Sequence, residues 1–210
     1  MAAGIQGMKI RYIITGTPRS GTGFTSQLLT SGGLKIGHEM FFGMPGAGFY
    51  PAGAVGDSSW LAVPYLRAYP DAKKIHIVRN PLKTISSMLH AQNLEDFQIA
   101  NNMYCYYKVK HLPEIMQWKG LNRYLFFWTV WNNVAEKECD KFFQLEKISK
   151  NPSPLFKHLG IDIKGKTLYK KVYNQYQDVK YLTMKDIKKC DKSLVKTLVE
   201  QAGKYGYKLK

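Results

Sequence analysis

Apolar residues near the start of the chain form a short run followed by a helical stripe. Tyr12–Gly16 contains β-branched and aromatic residues and closes with a glycine, which predicts a buried strand ending in a sharp turn. Residues 22–30 carry Phe24, Leu28 and Leu29 at helical spacing, and two glycines follow them. This pattern predicts a helix that ends at the glycines.

The same order of strand, turn and helix recurs further along the chain. Residues 75–78 have the pattern of a buried strand, and Asn80 and Pro81 follow as a favourable N-cap and first helical residue. Between these two units, residues 34–39 form a short apolar run that ends in Gly-His-Glu. This run predicts a second strand.

The segment after that strand is unusual in composition. Residues 41–59 are rich in glycine, proline and alanine, which argues against regular helix or strand and predicts a long binding loop. Phe41, Phe42, Phe49 and Tyr50 are candidates for an apolar wall around a bound molecule. An insertion without a role is the alternative.

Further segments complete the predicted sheet and its cover. Residues 61–69 predict a short helix packed on the sheet, with Asp57 as its N-cap. Residues 141–146 predict a fourth strand, and residues 193–207 predict a closing helix. Because strands alternate with helices, we expect an α/β fold with a mostly parallel sheet flanked by helices.

Residues 93–137 have a helical pattern that is rich in aromatic side chains. Aromatic residues at helical spacing usually belong to the core, and we expect most of these to do so. Trp118 and Tyr124 are candidates for stacking on a sugar or on adenine. The chain has 210 residues and no defensible domain boundary, so we expect one domain over residues 1–210.

The three cysteines, Cys105, Cys139 and Cys190, are odd in number and widely spaced. They indicate neither a disulfide framework nor a zinc site, and favour a reducing compartment. Apolar runs fall short of the ~20 residues that span a bilayer. We therefore expect no membrane span, no metal and a cytoplasmic location.

The formal net charge is +16, and its excess lies mainly in residues 106–210, which hold 22 basic against 10 acidic residues. An anionic ligand is plausible on this ground. Nucleic acid is the rival partner, because basic surfaces bind phosphate backbones non-specifically. The lysines are dispersed without a nucleic-acid motif, which favours a solvated face and no specific nucleic-acid partner.

The loop at residues 17–22 has small residues that let backbone N–H groups converge on an anion at a helix N-terminus. Gly16 and Gly21 match the glycine spacing of the nucleotide-binding motif G-x-x-x-x-G-K-[ST]. Thr22 and Gly23 replace its lysine and its magnesium-binding hydroxyl. With Arg19 as the cation, this loop suits a group less charged than a triphosphate, transferred without metal, such as a sulfuryl group.

At these residues the chain resembles the sulfotransferases that use 3′-phosphoadenosine 5′-phosphosulfate (PAPS), whose architecture is similar to that of P-loop NTPases. The resemblance implies PAPS as sulfuryl donor, with Arg19 contacting the bridging oxygen and the transferring group. The residues it assigns to the 5′-phosphosulfate loop are Pro18, Arg19, Ser20, Gly21, Thr22 and Gly23.

A second anion site is predicted after the strand at residues 75–78. Arg79 lies at the carboxyl end of that strand, where open α/β sheets bind ligands, and Ser87 lies about two helical turns further on, roughly 10 Å along the axis. A long arginine can meet this hydroxyl around one phosphate. The family resemblance assigns Arg79 and Ser87 to the 3′-phosphate, with Ser86 as a substitute.

Sulfuryl transfer to an alcohol needs a base near the acceptor hydroxyl. Carbohydrate-type sulfotransferases place a glutamate shortly after the first helix, as Glu39 is placed here, whereas His38 resembles the histidine base of cytosolic members. The alternative is that both residues cap a strand and orient the loop. We also predict that Asp57 and Trp60 contact the acceptor.

The acceptor is predicted as a hydroxyl or amine of a small molecule or glycan, anionic or neutral. A P-loop nucleotide kinase or NTPase and a non-catalytic anion-binding relative are the alternative functions. The sequence does not indicate an oligomeric state.

Overall fold

The computed structural model describes residues 10–43, 52–92, 112–171 and 178–209. Its centre is a five-stranded sheet in the order β2-β3-β1-β4-β5, with every neighbouring pair parallel. The strands are β1 (Tyr12–Gly16), β2 (Ile36–His38), β3 (Gly56–Ser58), β4 (Lys73–Val78) and β5 (Lys141–Gln144). The α/β class with a parallel sheet is confirmed.

Helices cover the sheet and connect its strands. They are α1 (Thr22–Ser31), a 3-10 helix (Trp60–Ala68), α2 (Pro81–His90), α3 (Leu112–Gln117), α4 (Gly120–Glu138), α5 (Leu145–Ile148), α6 (Ser153–Leu159), α7 (Met184–Ile187) and α8 (Lys192–Lys204).

The two strand-turn-helix units form where their local signals place them. Strand β1 runs into α1, which ends at Gly32: the Gly32 backbone N–H donates to the Leu28 carbonyl oxygen, and the Gly33 N–H donates to that of Thr30. Asn80 caps α2 by accepting a hydrogen bond from the backbone N–H of Lys83, with proline at the first helical position. Both predictions are confirmed.

Each face of the sheet has its own apolar core, because successive strand residues point to opposite faces. Ile13 packs with the 3-10 helix, α4 and α8, whereas Ile14 packs with α1 and α6. The aromatic residues of α4 fill the first core as expected. Tyr124 is only 1% exposed, which argues against its stacking on a ligand in this conformation.

Strand β3 contradicts the prediction that residues 41–59 contain no regular structure. It lies between β1 and β2, although Gly56, Asp57 and Ser58 offer no apolar pattern. Glycine is required at 56 because a Cβ there would lie 2.2 Å from the Tyr12 carbonyl oxygen. The two polar residues are fully buried and hydrogen-bonded. Pairing within the sheet, rather than burial of apolar side chains, therefore determines that this segment forms a strand.

The predicted apolar wall is described only in part, since Phe49 and Tyr50 lie outside the described residues. Phe41 and Phe42 make edge-on contacts with Tyr69. These two phenylalanines therefore belong to an aromatic cluster against the end of the 3-10 helix.

The N-cap prediction for the following helix is wrong. Ser59, not Asp57, caps it by accepting a hydrogen bond from the Leu61 backbone N–H at 3.1 Å. Asp57 is two residues too early because it lies inside β3. The helix packs against the sheet as expected, in 3-10 geometry with Pro64 inside it.

Later boundaries differ by a few residues. The strand predicted over 141–146 ends at Gln144, because α5 begins at Leu145. The closing helix ends at Lys204 rather than at residue 207. Gly206, two residues later, has a left-handed φ of 80° and reverses the chain. The helical prediction for residues 93–111 lies outside the described part of the chain.

Cys139 and Cys190 are free thiols, and Cys105 lies outside the described residues. Within the described ranges, no helix has both the length and the apolar character needed to cross a bilayer.

Replacing Gly56 with alanine tests the close approach of β3 to β1. We expect the Gly56→Ala variant to lose about 1–3 kcal/mol of unfolding free energy, because the methyl group meets backbone that cannot move aside. Urea denaturation followed by circular dichroism measures the loss. Gly203→Ala in α8 is the matched control, since no atom lies within 4 Å of its built Cβ, and it should be neutral or stabilising. Equal stability of the two variants would contradict the packing of β3.

Candidate functional site

The turns that follow β1 and β4 meet at the carboxyl edge of the sheet. These strands are parallel neighbours with Gly16 opposite Ile77, so their turns leave the sheet side by side. One guanidinium nitrogen of Arg79, Nη1, donates a hydrogen bond to the Arg19 carbonyl oxygen at 3.0 Å. The two predicted oxyanion sites are therefore in direct contact.

Ser87 joins this contact through a different arginine from the one expected. The Nε of Arg19, rather than a nitrogen of Arg79, donates to the Ser87 hydroxyl at 2.9 Å. Ser86 is engaged elsewhere: its hydroxyl donates to the Leu82 carbonyl at 2.6 Å and accepts from the Leu182 backbone N–H at 2.7 Å. The structure thus brings Ser87, not Ser86, to Arg19.

The six residues assigned to the first anion site occupy the β1–α1 turn and the first two positions of α1. Arg19 has a φ of 65°, a left-handed conformation that is strained for a residue other than glycine. Gly21 has a φ of 102°, and a Cβ there would lie 2.5 Å from a methyl carbon of Leu145. The turn therefore has a tightly specified backbone.

The N-terminus of α1 opens onto this turn with its positive end. No side chain caps it, and its first turn carries no acidic residue. Backbone N–H groups at such an end attract anions through hydrogen bonds and the helix dipole. The ten-residue length of α1 supports a substantial dipole.

Two hydroxyls in the turn are buried without a hydrogen-bond partner among the described residues. They are the Oγ1 of Thr17 and the Oγ of Ser20, in side chains that are 1% and 0% exposed. Leaving such a group unpaired costs about 1–3 kcal/mol, so folded proteins rarely do so without a reason. Hydroxyl groups such as these can donate to the oxygens of an anion.

The end of β2 brings His38 and Glu39 to the same edge of the sheet. His38 Nε2 and Glu39 Oε1 lie 3.6 Å apart. Burial lowers the pKa of His38 to about 4, so this contact joins a neutral imidazole to a carboxyl group and is not an ion pair at neutral pH.

Burial and the charge of Asp57 raise the pKa of Glu39 to about 7, and the charge of Arg19 partly opposes the shift. Glu39 also has a left-handed φ of 55°, directly after the last residue of β2. A carboxyl group that titrates near neutrality exchanges protons readily at physiological pH. Among the two candidate bases, this favours Glu39.

Asp57 supports the backbone beside Glu39. Its Oδ2 accepts hydrogen bonds from the backbone N–H groups of Phe41 and Phe42, both at 3.0 Å, and its Oδ1 accepts from Met40 at 3.4 Å. The side chain is fully buried, and burial raises its pKa in spite of these bonds. Its contacts are therefore with the protein's own backbone.

Trp60, the other residue assigned to acceptor contacts, lies in the core. It is 7% exposed, and its ring packs against Phe127 and Trp131. In this conformation, the burial of Trp60 and Asp57 argues for structural rather than acceptor-binding contributions.

Glu146 and Tyr207 are site neighbours that the sequence analysis missed. Glu146 Oε1 accepts a hydrogen bond from the Asn80 backbone N–H at 3.0 Å, and its Oε2 accepts from the Tyr207 hydroxyl at 2.7 Å. A signal existed for Glu146, the second residue after β5, because carboxyl ends of parallel strands share one edge. Tyr207 has no comparable local signal.

Comparison with known proteins supports the fold assignment. No protein-family model matches the chain, and no curated protein matches it in sequence. Among the solved structures that match, a sulfotransferase from Alicyclobacillus acidocaldarius superposes with a TM-score of 0.51 over 92% of this chain and 95% of that one. Sequence identity is 14%, so the likeness concerns the fold: this chain has a sulfotransferase-like α/β fold.

The Asp57→Asn substitution tests the electrostatic coupling within the site. Removing this negative charge should lower the pKa of Glu39 from about 7 toward its ordinary value, because Asp57 raises it by repulsion. Carbon-detected NMR titration of the Glu39 carboxyl group measures the midpoint. Asp162→Asn is the control, since Asp162 is exposed and accepts a hydrogen bond from the Lys164 backbone N–H in its own turn. An unchanged Glu39 midpoint in Asp57→Asn would contradict the coupling.

Proposed function

We propose that this chain is a sulfotransferase that transfers a sulfuryl group from PAPS to a hydroxyl or amine. The observation that carries the proposal is the direct contact between the Arg19 turn and Arg79. This contact puts two cationic turns within reach of one small molecule that carries two separate anionic groups. The sulfotransferase-like fold is consistent with this activity.

The residues fit a donor that carries an anionic group at each end. PAPS supplies an activated sulfuryl group on a 5′-phosphate, together with a separate 3′-phosphate. The unpartnered hydroxyls of Thr17 and Ser20 and the uncapped N-terminus of α1 would bind the phosphosulfate end. Pro18, Gly21 and the first residues of α1 shape that turn.

The cations have separate tasks in this proposal. Arg19 lies in the turn and would stabilise negative charge that develops on the bridging oxygen as the S–O bond to the 5′-phosphate breaks. Arg79 would bind the 3′-phosphate, with Ser87 beside it. Because a guanidinium group forms paired hydrogen bonds with phosphate oxygens, it suits this second task.

Glu39 is the proposed base. In its ionised form the carboxylate would take the proton of the acceptor hydroxyl as the new S–O bond forms. The nearby charge of Arg19 favours this ionised form. His38 is the second candidate, since its imidazole is neutral at physiological pH and has a nitrogen that can accept a proton.

The acceptor is proposed as a small molecule or glycan, neutral or anionic. A cytoplasmic location is part of the proposal and rests on cysteine usage: the two described thiols are unpaired.

Calorimetry with adenosine 3′,5′-bisphosphate, in parallel with MgATP, tests the donor assignment. We expect the bisphosphate to bind more tightly than MgATP, and Arg79→Ala to weaken it about 10- to 100-fold, the value of a charged hydrogen bond to phosphate. Arg67→Ala is the matched control, because Arg67 has an 84% exposed side chain and pairs with Glu138.

Three results would oppose the proposal. Tight MgATP binding without bisphosphate binding would indicate a nucleotide kinase or NTPase. Bisphosphate binding without turnover on a panel of sugars, phenols and amines would indicate a non-catalytic relative. Undiminished bisphosphate affinity in Arg79→Ala would remove Arg79 from the site.

The pH dependence of turnover tests the base. Because Glu39 accepts a proton only when ionised, kcat should rise with pH through about 7 and level off above it. Glu39→Gln should lower kcat by about 10²- to 10⁴-fold and abolish the rise. His38→Asn is the control and should keep it. If His38→Asn abolishes the rise and Glu39→Gln does not, the base is His38.

A further inference from the structure

The turn that carries Arg79 is held from outside by Glu146 and Tyr207, which come from the far half of the chain. Glu146 accepts from the Asn80 backbone N–H at 3.0 Å. The Tyr207 hydroxyl donates to Glu146 at 2.7 Å and also lies 3.3 Å from the Val78 carbonyl oxygen. The pair thus contacts the polar groups of both residues that flank Arg79 in sequence.

The end of α8 is built to deliver Tyr207 to this turn. Gly206 adopts a left-handed φ of 80°, and the Tyr207 backbone N–H bonds back to the Ala202 carbonyl at 2.9 Å. This is the hydrogen-bond pattern with which a glycine ends a helix and reverses the chain. The position of the Tyr207 ring therefore follows from a defined turn rather than from a trailing end.

Electrostatics around the pair point toward Arg79. Burial and the carboxylate of Glu146 raise the pKa of Tyr207, so its hydroxyl stays protonated and donates. The positive charge of Arg79 acts on the same hydroxyl in the opposite direction. The Nη1 of Arg79 is bonded to the Arg19 carbonyl oxygen, so the pair acts on Arg79 through the backbone of Val78 and Asn80.

We propose that Glu146 and Tyr207 are positioning residues that hold Arg79 in the orientation needed to bind the 3′-phosphate of the donor. This inference rests on the proposed function. A rigid arginine loses less side-chain freedom on binding than a mobile one, so fixing its backbone on both sides increases affinity for the group it contacts.

Tyr207→Phe is the test, because it removes one hydroxyl and keeps the ring. Affinities for adenosine 3′,5′-bisphosphate and adenosine 5′-monophosphate are measured by calorimetry. We expect the variant to bind the bisphosphate about tenfold more weakly, the size of one lost hydrogen bond, and to bind the monophosphate as wild type does. In the Arg79→Ala background, Tyr207→Phe should cause no additional loss.

Tyr205→Phe is the matched control from the same segment. Its hydroxyl bonds Glu136 at 3.1 Å, so its removal should leave the preference for the bisphosphate unchanged. Glu146→Gln is a second variant, which keeps the size of the side chain and removes its charge. Like Tyr207→Phe, this variant should reduce the preference for the bisphosphate over the monophosphate.

The outcomes separate the two proposals. If wild type binds neither nucleotide, the proposed function fails and this inference fails with it. Suppose that wild type prefers the bisphosphate. If Tyr207→Phe keeps that preference, or lowers the affinities for both nucleotides equally, the pair is only structural and the positioning proposal is overturned. An additional loss in the Arg79→Ala background would overturn it as well.

Discussion

The parallel pairing of β1 with β4 is the constraint on which the rest of the site depends. Five residue pairs keep the two strands in register, and the pairing ends with Gly16 opposite Ile77. A Cβ at Gly16 would lie 2.3 Å from the Ile77 carbonyl oxygen, so the close approach at the site's edge requires glycine. Because both strands end at this level, two turns that are 60 residues apart in sequence come into hydrogen-bond contact.

This arrangement concentrates positive charge in a confined space and supports it with hydrogen bonds. Arg19 and Arg79 are linked through a carbonyl group, and Ser87 accepts from Arg19. On the β2 side, Glu39 and Asp57 provide negative charge. Burial raises the pKa of Glu39 to about 7, so its ionised and protonated forms are both populated near neutral pH. Two arginines and two carboxyl groups therefore share one sheet edge.

Local signals in the sequence predicted the parts of the fold that such signals determine. The unit at β1 has an apolar run and a glycine stop, the unit at β4 has an apolar run and an N-cap, and both form as predicted. Strand β3 was missed because Gly56–Ser58 is specified by its neighbours in the sheet: one residue must be glycine and the other two are polar and buried. Glu146 and Tyr207 act on a turn more than 60 residues away, which no periodicity encodes.

The polar character of β3 has a consequence for how the site opens. Strands β2 and β3 pair over only three residues, and β3 draws its support from hydrogen bonds to flanking backbone instead of from an apolar stripe. Segments with little apolar contact and short pairing open at lower free energy than a core strand. We therefore expect the edge that carries Glu39 to open at lower free energy than the edge that carries Arg19 and Arg79. Local opening of the native state would release Glu39 from its surroundings while the arginines stay in place.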